Sequence, residues 1–586
     1  MGFLQKSILI VFSVCVFSCS TDKSEPEGVQ DIDTPISEIE SKDPVTGIRI
    51  AWDYTTKTQI SKKNATNYNG YARLVQLEDR SLLVTYESNG NVMVKMSKDM
   101  GASWSEPVLV AAAKEGVNMA TPDLLQLSNR AILLAYNPRP GETANTSKKF
   151  LIKTILSTDG GMTWHDDQIV YEGDTKFENG VWEPSLLQLP DGEIQLFFSN
   201  ERIYEHSDEQ NISLLRSQNN GITWSKEPEV ASFRKGSRDG MPAPLYLRDK
   251  DQIIFSIEDN GSNNQFKPYI IRSSVSENWS QTVSGSSDYR DYALKEKLEE
   301  AEYAGAPYLA QLQTGETLLS YQGTDERNGN ALNNADMKVA IGNNDARSFN
   351  RISTPFLIPE GKSALWNSIA VVDNNMVFAL STTNAFSATQ ASEVWMIKGW
   401  IIPELKAERI SIKIDGETSE DIWQKDFPIF IGQKSETQLR ANISADDENL
   451  YVISKIYDSN ISSNSESIQN NDGTVIYLDP LNTNYVAPGT GVFKLVVSAS
   501  NEVKVFEGQD SEWVEIAIPE IETAVNINNG YIQEISIPWN SIGGKPDSNS
   551  QMGFNMEIME RGNSNYVEAI SATQPNSPYT WLTLKL

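Results

Sequence analysis

Acidic residues recur in this chain where apolar strands begin or end. The segment VWEPSLLQLPDGEIQLFFSNE (181–201) holds two apolar runs around a Pro-Asp-Gly turn, which predicts a β-hairpin. Glu183 begins this hairpin between Trp182 and Pro184, and Glu201 follows its last strand residue. The large aromatic and the rigid proline favour a walled position for Glu183 over a solvated strand end. Two carboxylic acids in one cleft are the minimum set for glycoside hydrolysis, because one donates a proton and the other attacks or activates water.

The sequence offers few residues that could carry out other kinds of catalysis. The chain has two histidines, His165 and His206, which argues against a Ser-His-Asp triad, a histidine-rich metal centre and a histidine general base. It has neither a phosphate-binding glycine loop nor a dinucleotide fingerprint. We therefore expect no cofactor and no metal.

Two repeats organise residues 46–403. The first repeat comprises SKDMGASW (97–104), STDGGMTW (157–164) and SQNNGITW (217–224), spaced by 60 residues, with a fainter copy at 273–279. An Asp or Asn that caps N–H groups, a glycine at φ > 0 and a packed tryptophan indicate a tight turn between strands. The motif resembles the Asp-box of sialidase-type β-propellers, and we expect it to be structural.

The second repeat is a pair of apolar strands joined by a turn. It occurs six times with a period of about 60 residues, at 73–87, 123–137, 185–199, 244–258, 308–322 and 368–381. Such a period predicts a propeller with six blades. The sixth copy leaves only 393–402 before the pattern stops, so we expect GIRIAWDY (47–54) to supply the missing strand and close the ring.

Propeller topology brings the start of strand one and the end of strand two of every blade to one face, and the Asp-box turns to the other. The mouth of the ring should therefore collect two sets of residues. The strand-one set is Tyr71, Arg73, Thr121, Asp123, Glu183, Asp239, Met241, Tyr308 and Trp366. The strand-two set is Glu87, Asn137, Asn200, Glu201, Glu258, Asp259 and Gln322.

Each candidate also has an ordinary structural explanation. Asp259 competes with Glu258 for a place in the site, and Glu87 and Glu201 are expected to be solvated or supporting groups. Asp239 and Asp123 bind sugar hydroxyls or shape turns, and Arg73 and Arg238 line the mouth or lie on the surface. The aromatic candidates are core residues, wall residues or sugar platforms: Tyr308, Tyr321 and Trp366.

Three stretches, 182–201, 237–247 and 253–260, resemble the exo-acting arabinanases of glycoside hydrolase family 93. The likeness covers residues ~50 to 400 and is most specific in the third and fourth repeats. It implies a six-bladed propeller and a retaining hydrolase with two glutamates. These map onto Glu183 as the nucleophile and Glu258 as the acid/base, with the carboxyl groups about 5 to 5.5 Å apart.

Three other functions remain open from the sequence. An exo-α-sialidase needs an arginine cluster for the substrate carboxylate; Arg73 and Arg238 are candidates, but Tyr308 lies where a third arginine would be sought. A non-catalytic glycan-binding lipoprotein would use the same ring as a platform. A polysaccharide lyase would need a His or Tyr base, and the scarcity of histidine argues against it.

The N-terminus and the composition predict the compartment. Residues 1–18 are typical of a secretory signal, and VFSC before a polar tail resembles a lipobox that lipidates Cys19. Both cysteines lie here, so the mature body contains no disulfide. Residues 19–45 predict a flexible tether. We expect a monomer anchored in a bacterial outer membrane, exposed at the cell surface.

The formal charge of −30 argues against nucleic-acid partners.

After about residue 404 the Asp-boxes cease. Short alternating strands follow, which predict an antiparallel β-sandwich over 404–586. Segments in this region resemble the family 9-like carbohydrate-binding modules, and a spacer that binds nothing is the alternative. The sequence as a whole thus predicts an all-β protein: a six-bladed β-propeller over 46–403 followed by the sandwich, with an oligosaccharide or polysaccharide as its partner.

Overall fold

The computed structural model describes residues 39–141, 147–261, 264–434, 436–518, 520–546 and 550–586. The predicted signal peptide (1–18), the lipidation site Cys19 and residues 19–38 of the predicted tether lie outside these ranges. Among the described residues, no helix has the length and apolar character needed to cross a membrane.

Strands account for nearly all regular structure in the first two thirds of the chain. They are β1 (Arg49–Gln59), β2 (Asn69–Gln76), β3 (Leu82–Ser88), β4 (Asn91–Ser97), β5 (Val108–Ala111), β6 (Val117–Gln126), β7 (Ile132–Pro140), β8 (Leu151–Ser157), β9 (His165–Glu172), β10 (Val181–Gln188), β11 (Ile194–Asn200), β12 (Asn211–Ser217), β13 (Glu229–Phe233), β14 (Asp239–Leu247), β15 (Gln252–Asp259), β16 (Lys267–Ser274), β17 (Val283–Ser284), β18 (Arg290–Tyr292), β19 (Ala304–Gln311), β20 (Thr317–Gly323), β21 (Asp336–Gly342), β22 (Asn350–Ser353), β23 (Ala364–Val372), β24 (Met376–Thr383) and β25 (Glu393–Ile402).

These strands form six sheets, which we call blades one to six. Blades one and two are β2-β3-β4-β5 and β6-β7-β8-β9; blade three is β10-β11-β12-β13, extended by β17. Blades four and five are β14-β15-β16-β18 and β19-β20-β21-β22. Blade six is β23-β24-β25-β1, in which Arg49 pairs with Ile402. The expectation that the N-terminal strand completes the last sheet is confirmed.

The blades follow one another in a closed ring. Their first strands contact each other in chain order, and β23 of blade six contacts β2 of blade one. A hydrophobic cluster lies between each pair of consecutive blades. The cluster that closes the ring joins Val84 of blade one to Leu380 of blade six. Burial of these clusters is what holds the blades side by side.

The Asp-box turns join the third and fourth strands of blades one to three, as predicted. In the second copy, Asp159 Oδ1 accepts the Thr163 N–H at 2.9 Å, and Gly161 has φ = 90°. The tryptophan of each copy packs against an inter-blade cluster: Trp104, Trp164 and Trp224. These turns therefore act as structural devices on one side of the ring.

The C-terminal region forms two further sheets. Its strands are β26 (Leu405–Lys406), β27 (Ile429–Ile431), β28 (Gln438–Ala445), β29 (Asn449–Tyr457), β30 (Gly473–Asp479), β31 (Phe493–Ser498), β32 (Val503–Gln509), β33 (Glu512–Ile516), β34 (Glu522–Ile527), β35 (Tyr531–Pro538), β36 (Gln551–Glu560), β37 (Tyr566–Ala569) and β38 (Leu582–Lys585). One sheet is β26-β38-β36-β30-β31-β32-β33, with β37 beside β36, and the other is β27-β28-β29-β35-β34. A single hydrophobic cluster draws on both sheets.

The described helices are single 3-10 turns. They are Phe177–Asn179, Leu332–Asn334, Asp373–Asn375, Asp421–Gln424, Ile468–Asn470, Trp539–Ile542 and Pro578–Thr580. The expectation of an all-β protein is confirmed.

Residues 39–45 differ from the predicted flexible tether. The Lys42 N–H donates to the Asn484 carbonyl at 3.0 Å, and the Val45 N–H donates to the Tyr579 carbonyl at 2.8 Å. The buried Arg49 guanidinium then bonds the Val45 and Thr580 carbonyls. Backbone hydrogen bonds to loops of the C-terminal region therefore hold this segment, a tertiary effect that its polar composition does not reveal.

Candidate active site

Every blade carries a β-bulge in its first strand, and the bulged residue is not glycine. The six bulged residues have φ between 44° and 53°: Tyr71, Thr121, Glu183, Met241, Ala306 and Trp366. Each lies within the register shift of its first strand. A left-handed non-glycine residue costs on the order of 1–3 kcal/mol, so six at equivalent positions indicate a feature that the fold maintains.

The next residue is proline in four of the six bulges: Pro122, Pro184, Pro242 and Pro307. Proline lacks an N–H and is confined in sheets mainly to edges and bulges. This repeated proline is the signal by which the bulges could have been found in the sequence.

Five bulges are braced by the preceding blade. The bulge N–H donates to a side chain near the end of that blade's second strand, in the pairs Tyr71 to Thr382 (2.9 Å), Thr121 to Glu87 (2.6 Å), Met241 to Ser199 (3.0 Å), Ala306 to Glu258 (2.8 Å) and Trp366 to Gln322 (2.8 Å). Glu87 and Glu258 thus fill equivalent positions in blades one and four. Each uses one carboxylate oxygen as a brace.

Glu183 is the only acidic residue among the six bulged residues, and its carboxylate lies among cationic groups. Its Oε1 is 3.7 Å from Arg139 Nη2. Burial raises the pKa of Glu183, while Arg139 and then Arg238 oppose that rise. These neighbours favour the ionised form that a nucleophile requires.

Arg139 is held in place independently of Glu183. Its guanidinium stacks over the Trp182 ring at 4.7 Å, and its Nε and Nη2 donate to Asn137 Oδ1 at 3.3 and 3.2 Å. Arg139 is not among the predicted mouth residues, because the repeat pattern ends the second strand of blade two at Asn137. In the structure that strand, β7, continues through Pro138 to Pro140.

The pKa of Glu258 is raised by burial, like that of Glu183, but one arginine rather than three opposes the rise. Burial raises its pKa to about 7, the Ala306 N–H opposes this rise, and the negative charge of Glu183 adds to it. Its competitor Asp259 is fully buried and ion-pairs with Arg234 and Arg290 at 2.9 and 2.7 Å. Glu258, not Asp259, therefore faces Glu183.

Glu201 is buried rather than solvated. Its Oε2 accepts the Trp182 Nε1–H at 2.6 Å, and its Oε1 contacts Arg238 Nη2 at 2.6 Å and Gln210 Nε2 at 3.1 Å. Burial raises its pKa to about 7, although Arg238 opposes this. Glu201 thus positions the tryptophan and the arginine that flank the two catalytic candidates.

Two cavities meet at Glu183 and Arg139. The first, about 300 Å³, we call the acid cavity; it is lined by Arg139, Phe177, Glu178, Trp182, Glu183, Glu201, Asp208, Gln210, Arg238 and Glu258. The second, about 390 Å³, we call the Glu87 cavity; it is lined by Tyr68, Tyr71, Glu87, Asn89, Gly90, Asn118, Thr121, Arg139, Glu183 and Trp366. The structure therefore brings four of the predicted site residues to these cavities: Glu183, Glu258, Arg238 and Trp366.

Three predicted polar binding residues lie away from both cavities. Asp239 is fully buried and pairs with Arg290 at 2.6 Å, so its predicted sugar-binding role is not supported. Asp123 Oδ2 accepts the Ser185 hydroxyl at 2.9 Å and braces blade two against blade three. Arg73 is buried, and its guanidinium donates to the Ala72 carbonyl at 2.9 Å.

Two of the predicted aromatic binding residues, Tyr308 and Tyr321, pack inside the ring instead of lining either cavity. Tyr308 packs on the Arg73 guanidinium at 4.8 Å, opposite Tyr71 at 4.0 Å. Tyr321 is fully buried in the cluster between blades four and five. Side-chain packing sets the orientation of both tyrosines, and the strand pattern of the sequence does not specify that packing.

The comparisons with known proteins agree with the two domain types that the sequence resembles. Residues 82–354 match the BNR repeat-like domain, and residues 414–582 match the carbohydrate family 9 binding domain-like family. The chain is therefore similar to BNR repeat-like domains in its first part and to family 9-like carbohydrate-binding domains in its last part.

Individual relatives are distant. Endo-1,4-beta-xylanase A of Thermotoga neapolitana is 27% identical over 198 residues, which are 32% of this chain and only 18% of the xylanase. A family 93 α-L-arabinofuranosidase of Fusarium graminearum, solved with arabinobiose, is 18% identical, with 58% of this chain and 98% of that chain covered and a TM-score of 0.44. A family 9 carbohydrate-binding module of Caldicellulosiruptor kristjanssonii is 22% identical over 31% of this chain and 92% of its own, with a TM-score of 0.27.

Proposed function

We propose that this protein is a retaining exo-acting glycoside hydrolase that cleaves neutral sugars from glycan chain ends, as an exo-α-L-arabinanase does. The observation that carries the proposal is the pairing of Glu183 and Glu258 in one cavity whose charges act unequally on the two carboxyl groups. Burial raises the pKa of both groups, but three arginines oppose the rise at Glu183, whereas the charge of Glu183 adds to the rise at Glu258. This difference favours an ionised Glu183 and a protonated Glu258, the states that a nucleophile and a general acid need before the reaction.

The reaction proceeds in two steps. In the first, Glu183 attacks the anomeric carbon while Glu258 gives its proton to the leaving oxygen, so the glycosidic bond breaks as a glycosyl ester forms. In the second, the Glu258 carboxylate takes a proton from water, whose oxygen attacks the anomeric carbon and releases Glu183. The sugar leaves with its original anomeric configuration, and Glu258 is again protonated.

The charge of the site favours a neutral substrate. Six carboxylic acids line the two cavities, against Arg139 and Arg238. Arg139 is engaged by Asn137 and Glu183, and Arg238 by Glu201. A sialidase needs arginines that are free to bind a substrate carboxylate bidentately. We therefore favour the neutral-glycan hydrolase over the exo-sialidase.

The wider organisation is part of the proposal. The six-blade ring, at residues 46–403, is a six-bladed β-propeller that holds the active site. The sandwich of residues 404–586 binds carbohydrate and keeps the enzyme near its polymer, a role supported by the family 9-like match. The N-terminus anchors the monomer in the cell envelope through lipid on Cys19.

Product analysis tests the proposed activity. The purified protein is incubated with arabinan and with sialyl-lactose, and we expect arabinose-containing products of retained configuration from arabinan. Release of sialic acid alone would overturn the assignment. A protein that binds glycan without turnover would be a binding lipoprotein instead.

Two variants test the roles of the glutamates. Glu183→Gln should abolish turnover of every substrate while substrate affinity is kept. Glu258→Gln should lose turnover of natural linkages but keep the first step on an aryl glycoside whose leaving group needs no proton. Glu106→Gln, at an exposed glutamate beside an Asp-box turn, is the matched control. Equal losses on both substrate types for Glu258→Gln would contradict its role as the acid.

A further inference from the structure

Blade four differs from the other blades at one pair of residues beside Glu258. In every blade, the residue two positions before the bulged residue pairs with a residue near the end of the second strand. The six pairs are Asn69 with Ser88, Met119 with Pro138, Val181 with Asn200, Asp239 with Asp259, Ala304 with Gly323 and Ala364 with Thr383. Five of these pairs carry no charge, and the acidic pair lies in the blade that carries Glu258. The strands of the other blades therefore join at this position without charged groups.

Two arginines neutralise the acidic pair. Arg290 lies in β18, and its guanidinium donates to Asp239 at 2.6 and 2.9 Å and to Asp259 at 2.7 Å. Arg234 directly follows β13, and its Nε donates to Asp259 at 2.9 Å. The side chains of Arg290 and of both aspartates are at most 1% exposed. We call these four residues the seam cluster.

The seam cluster joins blade four to blade three. Arg234 comes from the end of the fourth strand of blade three. Arg290 Nε donates to the Ser284 carbonyl of β17 at 3.2 Å. The Ser232 hydroxyl of β13 donates to Asp239 at 2.7 Å. Both β13 and β17 belong to the sheet of blade three, so these contacts hold the mouth ends of β14 and β15 against that sheet.

Glu258 is the residue before Asp259, near the end of β15. Consecutive strand residues point to opposite faces of a sheet, so the seam cluster holds the strand from the face opposite to Glu258. On its own face, Glu258 Oε2 accepts the Ala306 N–H of blade five at 2.8 Å. The seam cluster therefore restrains Glu258 through the backbone of β15 and leaves both cavities free.

The proposed reaction depends on the distance between Glu183 and Glu258. Retention needs their carboxyl groups about 5 to 5.5 Å apart, and a misplacement of about 1 Å can lower the rate about a hundred-fold. The two glutamates lie in blades three and four, the sheets that the seam cluster joins. A buried ion cluster is weak evidence for stability, because well-packed apolar residues often stabilise a fold equally well. The uncharged pairs of the other blades agree with this, so the charges in blade four need another explanation.

We propose that the seam cluster positions the acid/base of the reaction: by joining blades three and four, it sets the separation between the carboxyl groups of Glu183 and Glu258. Arg290 is the central positioning residue, since it contacts both aspartates and blade three. The four residues act through the strands that they join and touch neither the sugar nor the reacting atoms. The inference rests on the proposed function.

The uncharged pair of blade six provides the first test. The triple variant Asp239→Ala, Asp259→Thr and Arg290→Leu removes the ion pairs without leaving a fully buried charge unpaired. Its unfolding midpoint should lie near that of the parent. For arabino-oligosaccharides, kcat should fall roughly ten- to a hundred-fold, with KM within about two-fold of the parent. The basic limb of the kcat/KM profile should move to lower pH, because a more distant Glu183 raises the pKa of Glu258 less.

Arg234→Gln is the second test, because Arg234 is partly exposed and its loss leaves Arg290 paired with both aspartates. We expect kcat to fall roughly ten-fold with KM unchanged. Arg234→Lys should restore most of this loss, since it keeps the charge beside Asp259. Lys235→Gln, at the exposed next residue, is the matched control and should leave kcat unchanged.

Kinetics and crystal structures together separate the two proposals. If the parent hydrolyses arabino-oligosaccharides but the triple variant and Arg234→Gln keep its kcat, the positioning role is refuted and the hydrolase stands. If the parent hydrolyses none of them, the proposed function fails, and crystal structures of the parent and the two variants decide the positioning role. An increase of about 0.5 Å or more in the separation between the carboxyl groups of Glu183 and Glu258 upholds it, and an unchanged separation refutes it.

Discussion

Substitution of Asp239 distinguishes a structural from a substrate-binding role for this residue. Asp239 is fully buried, and its oxygens contact Arg290 at 2.6 and 2.9 Å and the Ser232 hydroxyl at 2.7 Å. Asp239→Asn removes one charge from a buried group of ions. The Arg290 guanidinium then keeps one carboxylate partner, Asp259, at 2.7 Å.

The expected loss is in stability rather than in substrate affinity. Removing one partner of a buried ion pair costs about 3–5 kcal/mol, and the remaining pair with Asp259 places this case near the lower end. A loss of about 3 kcal/mol reduces the ratio of folded to unfolded protein roughly a hundred-fold. Chemical denaturation followed by tryptophan fluorescence measures this change.

The matched control is Asp288→Asn, at an exposed aspartate two residues before Arg290. KM of the folded Asp239→Asn protein should equal that of the parent. A raised KM with an unchanged unfolding midpoint would refute the structural role and restore the sugar-binding role predicted from the sequence.

Three further outcomes follow from the site and the fold. Arg139→Met removes the cation that opposes the raised pKa of Glu183 most strongly, so the acidic limb of the kcat/KM profile should move to higher pH. Arg139→Lys keeps the charge and should leave that limb at the pH of the parent. Because Glu258 must be protonated and its pKa is raised to about 7, kcat/KM should fall as the pH rises through 7, and Glu258→Gln should lack that limb. Gly161→Ala should lower stability by roughly 1 kcal/mol or more in thermal unfolding, since Gly161 has φ = 90° and its new Cβ would lie 3.2 Å from Leu83; unchanged stability would contradict the turn's role.

The repeats made the architecture of the ring predictable. Asp-box turns and paired apolar runs are local signals, because Gly161 and Asp159 form their turn from neighbouring residues alone. The closing strand was predictable from arithmetic, since the sixth repeat lacked one strand and the segment before the first repeat offered one. Glu183 was predictable from its aromatic and proline neighbours.

The details of the site depended on contacts between residues far apart in the sequence, which no local pattern specifies. Asp239 and Asp259 had the composition of binding residues, but Arg290, from a later strand, reaches both of them. Glu201 lies in a polar segment, yet Trp182 and Arg238 enclose it. The repeat pattern therefore indicates which residues lie near the mouth of the ring. Ion pairs with residues distant in the sequence determine which of these residues can still contact a ligand.

The pairing of β1 with β25 has a consequence for biosynthesis. Strand β1 (Arg49–Gln59) is the first strand of the ring to be synthesised. Its partner β25 (Glu393–Ile402) is the last, so β1 stays unpaired until β25 has been made. At the usual rates of translation the interval is on the order of 20 to 70 s. Until then β1, the outer strand of blade six, has no partner and exposes an unpaired edge. With both cysteines at positions 15 and 19, no covalent bond can secure the ring early, so hydrogen bonds to the last-made strand complete it.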